Sequence, residues 1–248
     1  FILSGENNQS RLWVSNFEKI NNSEYFLSTG QKGVIKSNII EETIEILSQK
    51  FDITQGNSDL LYNKDNEELW VNIENVGIDI VDLNSKKVNK LRENNSDLLG
   101  KSFNNIIKDN QDNIWLSSDF DGVLKYDPNK KKFKTFLKNT PKNMGLGLEV
   151  IWGLAFDDDG NIWAGSREPG GGIVNVNLQN NTTKIYNKKN NDNTTTYQIF
   201  KDNVGSIWAF EGGNLIVKRK NKNSFKFLGS YNNLKKDKNQ INRFFDPF

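Results

Sequence analysis

The sequence contains no cysteine and no histidine, and this limits the chemistry that it can perform. Thiolate nucleophiles, histidine-activated nucleophiles and the usual zinc sites all need one of these two residues. Such chemistry is therefore excluded, and we expect no metal and no cofactor. An enzyme made of this chain alone would have to use carboxylates, lysine, arginine, tyrosine or serine.

Long apolar runs and a strong net charge are absent as well. No stretch of about 18 or more apolar residues occurs, so the sequence predicts no membrane span and no membrane contact. Lys and Arg number 33 against 31 Asp and Glu, which gives no electrostatic basis for binding nucleic acid. The beginning at Phe1 does not read as a signal peptide, and we expect the sequence to lie inside a longer protein.

The sequence does contain a repeated unit with an aromatic anchor in its second predicted strand. The anchors are spaced 44, 45, 48 and 45 residues apart and are Phe26, Trp70, Trp115, Trp163 and Trp208. In the third copy, apolar runs at 106–108, 114–117 and 123–126 precede an alternating run at 132–137, which predicts four antiparallel strands. Repeats of about 40 to 50 residues with four strands and a tryptophan are typical of propeller blades. We therefore predict an all-β chain, a β-propeller of four-stranded antiparallel blades with five recognisable repeats.

The repeat also places the blades within one propeller segment that covers residues 1–248. The predicted blades are approximately 12–48, 58–92, 102–138, 149–187 and 196–228, with a partial sixth blade from residue 240 that opens at Ile241. Residues 1–5 are either the end of a preceding blade or part of a blade whose earlier strand is missing. An open stack would leave an apolar blade face in water, so we expect a part of a larger six- or seven-bladed ring. A closed ring of five or six blades is the alternative.

The repeat resembles the two-component regulator propeller repeat. In that pattern an aspartate is followed by Gly-Asn-Ile-Trp-x-Gly-Ser, a glycine and a Tyr-Asp-Pro turn. The matching residues are Asp109, Asn113, Trp115, Gly122 and Tyr126-Asp127-Pro128 in the third copy, Asp157, Gly160–Ser166 and Gly172 in the fourth, and Asp202, Gly205 and Trp208 in the fifth. The first two copies match more weakly, because Ile20 and Lys64 stand where the aspartate is expected.

The resemblance implies a non-catalytic sensor. Proteins similar to this one place such propellers on the periplasmic or extracellular side of a bacterial membrane, ahead of a membrane helix and a signalling module such as a histidine kinase. Many are linked to the sensing of oligosaccharides. The resemblance thus implies a small-molecule or oligosaccharide ligand, and a homodimer formed through the full receptor.

Two motifs have structural interpretations. The repeated tryptophans are expected to pack between adjacent blades, because each holds the same place in its copy. The run Asp157-Asp158-Asp159-Gly160 lacks the spacing and the later glutamate of a calcium-binding EF-hand loop. It is therefore expected to form a tight turn in which aspartates bind backbone amides and the glycine adopts positive φ. The segment from Asp158 to Trp163 also resembles the Asp-box turn of sialidases, which is structural there.

A candidate ligand site follows from the fourth copy. Loops that join the last strand of one blade to the first of the next, and loops between second and third strands, are expected to meet on one face of a propeller. Trp152 replaces small or polar residues, identified as Ser15, Asp59 and Asn104, in the corresponding column of the first three copies. The predicted ligand-binding residues combine an aromatic platform with charged groups and are Trp152, Arg167, Glu168, Asp119, Asp121 and Tyr197.

Two other function classes remain open. A glycoside hydrolase or lyase on a propeller scaffold would need two suitably spaced carboxylates. The candidates by location are Asp119, Asp121, Glu149, Glu168 and Glu211. Propeller lyases that inactivate streptogramins depend on histidine, which this chain lacks. A protein-interaction scaffold could instead use the basic clusters at 218–222 and 235–238.

Overall fold

The computed structural model describes residues 14–30, 32–98, 100–137, 150–167, 172–180, 182–186 and 195–230. Over these residues it contains five four-stranded antiparallel sheets, each with its strands in sequence order. The prediction of a β-propeller built of such blades is confirmed. The segments 1–13 and 231–248, and with them the two interpretations of the start and the opening strand of a sixth blade, lie outside the described residues.

The strands divide evenly among the blades. Blade one comprises β1 (Val14–Lys19), β2 (Glu24–Thr29), β3 (Gly33–Asn38) and β4 (Thr43–Ile46). Blade two comprises β5 (Asn57–Asn63), β6 (Glu68–Ile73), β7 (Gly77–Asp82) and β8 (Val88–Leu91). Blade three comprises β9 (Phe103–Lys108), β10 (Ile114–Ser118), β11 (Gly122–Asp127) and β12 (Lys132–Leu137). Blade four comprises β13 (Ile151–Phe156), β14 (Ile162–Ser166), β15 (Ile173–Asn177) and β16 (Thr182–Tyr186). Blade five comprises β17 (Thr196–Lys201), β18 (Ile207–Glu211), β19 (Asn214–Lys218) and β20 (Lys226–Ser230).

One short helix interrupts this pattern, and the sequence did not predict it. Helix α1 (Leu47–Lys50) follows β4, and its Leu47 and Ser48 are buried. The Ser48 hydroxyl accepts a hydrogen bond from the Val34 backbone N–H at 2.7 Å. The helix thereby closes the end of blade one before the chain enters blade two.

The chain forms two compact units. The first extends to Thr135 and the second begins at Phe136. In the first unit β5 lies beside both β1 and β9, and in the second unit β13 lies beside β17. The first strands of consecutive blades in each unit are therefore neighbours, as a propeller requires.

The apolar core of each unit lies between blades. One cluster contains Trp70 with residues of blades two and three, and its ring lies 5.1 Å from that of Tyr126. Another contains Trp163 with residues of blades four and five, and this ring lies 6.0 Å from that of Phe225. The prediction that the anchors pack between adjacent blades is confirmed for these two tryptophans. Each is 3% exposed, so the anchor stabilises the blade interface by burying a large apolar area.

The strand pairing of blade two differs by one residue from the alignment of the repeats that the sequence suggested. Its first hairpin loop, residues 64–67, is one residue shorter than loops 109–113, 157–161 and 202–206 of blades three to five. Leu60, paired with Val71, therefore takes the place that Ile106 and Leu154 take in other blades. The sequence alignment that placed Asp59 in the same column as Trp152 is thus wrong by one residue.

Candidate functional site

A β-bulge occurs near the start of the first strand of every blade. The register shifts lie between Val14 and Asn16, Asn57 and Asp59, Phe103 and Asn105, Ile151 and Gly153, and Thr196 and Gln198. The extra residues are therefore Ser15, Ser58, Asn104, Trp152 and Tyr197. Because of the register change in blade two, Ser58 rather than Asp59 corresponds to Trp152. Bulges re-aim side chains at the ends of strands, so these five positions are suited to present functional groups.

Blades four and five, unlike the first three, place aromatic residues at this position. The rings of Trp152 and Tyr197 lie 5.4 Å apart in an edge-to-face arrangement, with an interplanar angle of 65°. Tyr197 is 39% exposed and Trp152 is half-buried. Equivalent positions of two neighbouring blades therefore form a continuous aromatic surface that is open to solvent.

Two glycines allow these rings to approach each other. Gly153 and Gly165 are paired across β13 and β14. A Cβ atom at Gly153 would lie 2.7 Å from the backbone nitrogen of Ile199, and one at Gly165 would lie 2.6 Å from Cγ2 of Thr196. Blade five therefore approaches blade four too closely for any larger side chain at either position. Sequence reasoning did not identify Gly153, although its place directly after Trp152 was the available signal.

Arg167 completes this group of side chains. Its guanidinium carbon lies 4.4 Å from the centre of the Trp152 ring, which is within the range of a cation–π contact. Its backbone N–H donates to the carbonyl of Val150 at 3.2 Å, and this fixes the residue beside the bulge. We call Trp152, Tyr197 and Arg167 the aromatic ledge. The structure brings these three predicted residues together, while the predicted Glu168 lies outside the described residues.

The two predicted aspartates belong to the first unit. Asp119 in blade three corresponds to Arg167 in blade four. Its backbone N–H donates to the Ser102 carbonyl at 3.2 Å, as the N–H of Arg167 donates to the carbonyl of Val150. Its carboxylate accepts hydrogen bonds from the Ser102 hydroxyl at 2.7 Å and from the Asn104 amide at 2.9 Å. Asp121 lies in the same turn, and a Cβ at Gly100 would overlap its carboxylate. Asp119 thus holds the bulge residue of its own blade, much as Arg167 covers Trp152.

The aspartate turns are structural, as predicted. The Asp157 carboxylate accepts hydrogen bonds from the backbone of Asp159 and Asn161 at 3.1 and 2.9 Å, and Gly160 has a φ of 77°. The Asp158 carboxylate, which the Asp-box resemblance placed in the turn, instead pairs with Lys201 at 2.6 Å and Lys220 at 2.5 Å. These two lysines hold the pKa of Asp158 down, at about 2. No group of three potential metal-binding side chains occurs among the described residues.

Much of the basic segment at 218–222 is engaged within its own unit. Lys218 lies over the Trp163 ring at 5.3 Å, Arg219 lies over the Trp208 ring at 5.6 Å, and Lys220 pairs with Asp158. The second basic cluster, 235–238, lies outside the described residues. In the part of the chain that is described, these cations therefore stabilise blades four and five.

Two acidic residues in the first unit have raised pKa values. Asp59 is 3% exposed and accepts hydrogen bonds from the Ile106 backbone at 2.8 Å and from the side chains of Asn105 and Asn16, on blades three and one. Burial raises the pKa of Asp59 to about 6, although these hydrogen bonds act in the opposite direction. Burial, and then the charge of Asp59, raises the pKa of Glu18 to about 7. These carboxyl groups join three blades and form a structural cluster.

An open cleft of about 490 Å³ lies on blade two and its connection to blade three. Its lining residues are Asn75, Val76, Arg92, Glu93, Asn94 and Lys101. Arg92 is already paired with the buried Asp79 at 2.5 Å, and Lys101 is paired with Glu93 at 3.3 Å. The cleft has no aromatic side chain among these residues, and its charged side chains are matched in pairs.

Comparisons with known proteins support the repeat and the fold. A family model described as "Two component regulator propeller" matches residues 145–168, and the resemblance found in the sequence is confirmed. The matched stretch includes β13, the Asp157 turn and β14. No curated protein matches the chain.

Several solved structures have the same fold. Two are described as extracellular domains of hybrid two-component systems from B. thetaiotaomicron. For BT4673 the TM-score is 0.71 at 17% identity, over 91% of this chain and 28% of that one. For BT3049 it is 0.61 at 15% identity, over 88% and 34%. An inactive virginiamycin B lyase from Staphylococcus aureus with quinupristin gives 0.65 at 10% identity, over 92% and 72%. This chain thus spans about a third or less of the two sensor structures, and these identities establish the fold alone.

Proposed function

We propose that this chain is the ligand-sensing, non-catalytic propeller of a bacterial signal-transduction receptor, that it works outside the cytoplasm, and that its ligand is an oligosaccharide. The propeller repeat at 145–168 and the fold shared with extracellular domains of two-component systems support the sensor role. No helix of the described residues is long and apolar enough to cross a membrane. The signalling module would therefore be supplied from outside these residues.

The aromatic ledge is the observation that carries this proposal. Trp152 and Tyr197 present two amphipathic rings at equivalent positions of neighbouring blades, 5.4 Å apart. The apolar C–H face of a sugar ring can lie against such a surface, while hydroxyl groups at the edge of the sugar accept hydrogen bonds from the Arg167 guanidinium. Both aromatic residues stand on strands rather than on long loops, which keeps the rings positioned before the ligand arrives.

Titration calorimetry of the Trp152→Ala variant tests the proposal. An oligosaccharide selected on a glycan array should bind the unmodified chain, and the variant should bind it at least about tenfold more weakly because the stacking surface is lost. Phe227→Ala is the matched control, since Phe227 is an aromatic residue of the same unit that is 57% exposed on the last strand of blade five. Equal affinities of the wild type and the Trp152→Ala variant would refute the role of the ledge.

The enzyme alternative receives less support from the described carboxylates. Both oxygens of Asp119 accept hydrogen bonds from Ser102 and Asn104, which is the environment of a structural acceptor. Glu211 is only 9% exposed. The likeness to virginiamycin B lyase is one of fold, and this chain has no histidine. Turnover of a panel of glycosides that is abolished by Glu168→Gln would overturn the non-catalytic proposal.

A further inference from the structure

We infer that the aromatic ledge recognises an anionic saccharide, whose carboxylate or sulfate group binds Arg167 while its sugar ring lies against Trp152 and Tyr197. This inference deepens the proposed function and rests on it. It concerns the chemical class of the ligand, which neither the fold nor the repeat specifies.

The charge of Arg167 is the first observation. No carboxylate of the described residues lies within salt-bridge distance of its guanidinium, and none of the described side chains accepts a hydrogen bond from it. Arg92 shows the contrasting arrangement, because it pairs with Asp79 at 2.5 Å and donates to the carbonyls of Ile78 and Leu91. The donors of Arg92 are therefore used within blade two, whereas none of the described side chains uses those of Arg167.

The position of Arg167 is the second observation. The guanidinium carbon of Arg167 lies over the Trp152 ring, 4.4 Å from the ring centre, and its five N–H donors share one plane. Contact with the ring also restricts the side chain before binding, so less conformational freedom is lost when a ligand forms hydrogen bonds. An arginine held beside a ring in this way is suited to bind a planar carboxylate or a sulfate by two parallel hydrogen bonds.

The strength of such a pair favours an acidic sugar over a neutral one. Charge-assisted hydrogen bonds are about twice as strong as neutral ones, and the paired geometry adds directional specificity. A neutral sugar would gain only the stacking contact and neutral hydrogen bonds from the same arginine. Among the described residues, Glu211 is an acidic residue close to Tyr197 in the strand pairing, since its backbone pairs with that of Thr196, and it is only 9% exposed. Burial prevents this carboxylate from competing with a ligand at the surface of the ledge.

The test combines matched ligands with matched variants. The 248-residue chain is applied to an array of uronate-containing, sulfated and neutral oligosaccharides, and the strongest binder is measured by titration calorimetry. A uronate is compared with its methyl ester and a sulfated sugar with its desulfated form, which separates the two sources of negative charge. Arg167→Gln is compared with Arg219→Gln, because Arg219 also lies over a tryptophan of the same unit, at 5.6 Å from the Trp208 ring.

We expect the strongest binder to be acidic and its neutral counterpart to bind about 10- to 100-fold more weakly, as the loss of a charged hydrogen-bonded pair implies. Arg167→Gln should cause a loss of the same size, while Arg219→Gln should leave the affinity unchanged. Preference for neutral sugars, or equal affinities of the two variants, would overturn the inference. In that case a dependence on Trp152 would still support the sugar-sensing proposal. Absence of binding to every sugar on the array would overturn both.

Discussion

An aspartate six residues before the anchor has the same role in three blades. The indole N–H groups of Trp115, Trp163 and Trp208 donate to Asp109, Asp157 and Asp202 at 2.7, 2.9 and 2.7 Å. In blade two, where Lys64 takes this place, the Trp70 N–H instead donates to Glu68 at 3.3 Å. The weaker match of that copy to the repeat therefore corresponds to a different partner for its anchor.

The first prediction concerns this aspartate in blade four. Asp157→Ala should lower the free energy of unfolding by about 1–3 kcal/mol, because the buried Trp163 N–H and two turn amides would lose their acceptor. Asp159→Ala is the control, since Asp159 is exposed and its change should stay within about 0.5 kcal/mol. Chemical denaturation measures both, and equal losses would contradict a specific role for Asp157.

The second prediction concerns the buried carboxyl group of Asp59 and the half-buried carboxyl group of Glu18. Their folded-state pKa values of about 6 and about 7 lie above their ordinary values, so the folded chain binds more protons than the unfolded chain between about pH 4 and 7. Stability should therefore decrease as the pH rises through this range, by at most about 6 kcal/mol in total because each pKa unit corresponds to about 1.4 kcal/mol. Denaturation at pH 5, 6, 7 and 8 checks this.

Glu18→Gln supplies the control for that pH dependence. An amide has no proton to lose in this range, so the variant should show a smaller decrease and should be more stable than the wild type at pH 8. A stability that rises with pH, or a variant with an unchanged slope, would show that Glu18 is not the group responsible.

At the scale of strands and blades, the approach of β17 to β13 is the arrangement on which the ledge depends. Gly153→Ala should destabilise the chain by about 1–3 kcal/mol, because its Cβ would meet the backbone of Ile199 and Gln198 at 2.7 and 3.0 Å. The variant should also bind the selected oligosaccharide more weakly, since separation of the strands moves Tyr197 away from Trp152. Gly30→Ala is the control, as nothing lies within 4 Å of a Cβ there. Equal effects of the two changes would contradict this dependence.

The blades themselves could be predicted from the sequence because each copies the same strand pattern. The strand register of blade two could not be predicted. Its loop 64–67 is one residue shorter than the corresponding loops, and this moves the alignment of β5 by one residue without changing the apolar pattern around it. Helix α1 was missed for a related reason: Leu47 and Ser48 are buried by contacts with blade one, and four residues carry no periodicity that a helix prediction could use.

The site was predictable in part. Trp152 is distinctive because the same column is polar in earlier copies, and Arg167 is a charged residue of a loop that is expected to lie on the same face. The contact between Trp152 and Tyr197 depends on Gly153 and Gly165, whose importance becomes visible only when the neighbouring strand is present. Asp119 was included for its charge, yet its hydrogen bonds to Ser102 and Asn104 give it a structural role that its position in a loop does not reveal.

At the scale of the whole molecule, the ledge and the cleft on blade two, both formed by described residues, belong to different units. The ledge combines aromatic surface with an arginine that no described carboxylate neutralises, whereas the cleft of about 490 Å³ on blade two has paired charges and no aromatic lining. Ligand binding in the proposed receptor should therefore depend on blades four and five. Variants of Arg92 or Lys101 should affect stability or solubility before they affect ligand affinity.

A crystal structure of the chain with the oligosaccharide selected on the array would show whether the ledge is the ligand site. We predict a sugar ring in contact with Trp152 and Tyr197, with an acidic group of the ligand within about 3 Å of the Arg167 guanidinium. A ligand seated in the cleft beside Asn75 and Asn94, with the ledge unoccupied, would contradict it.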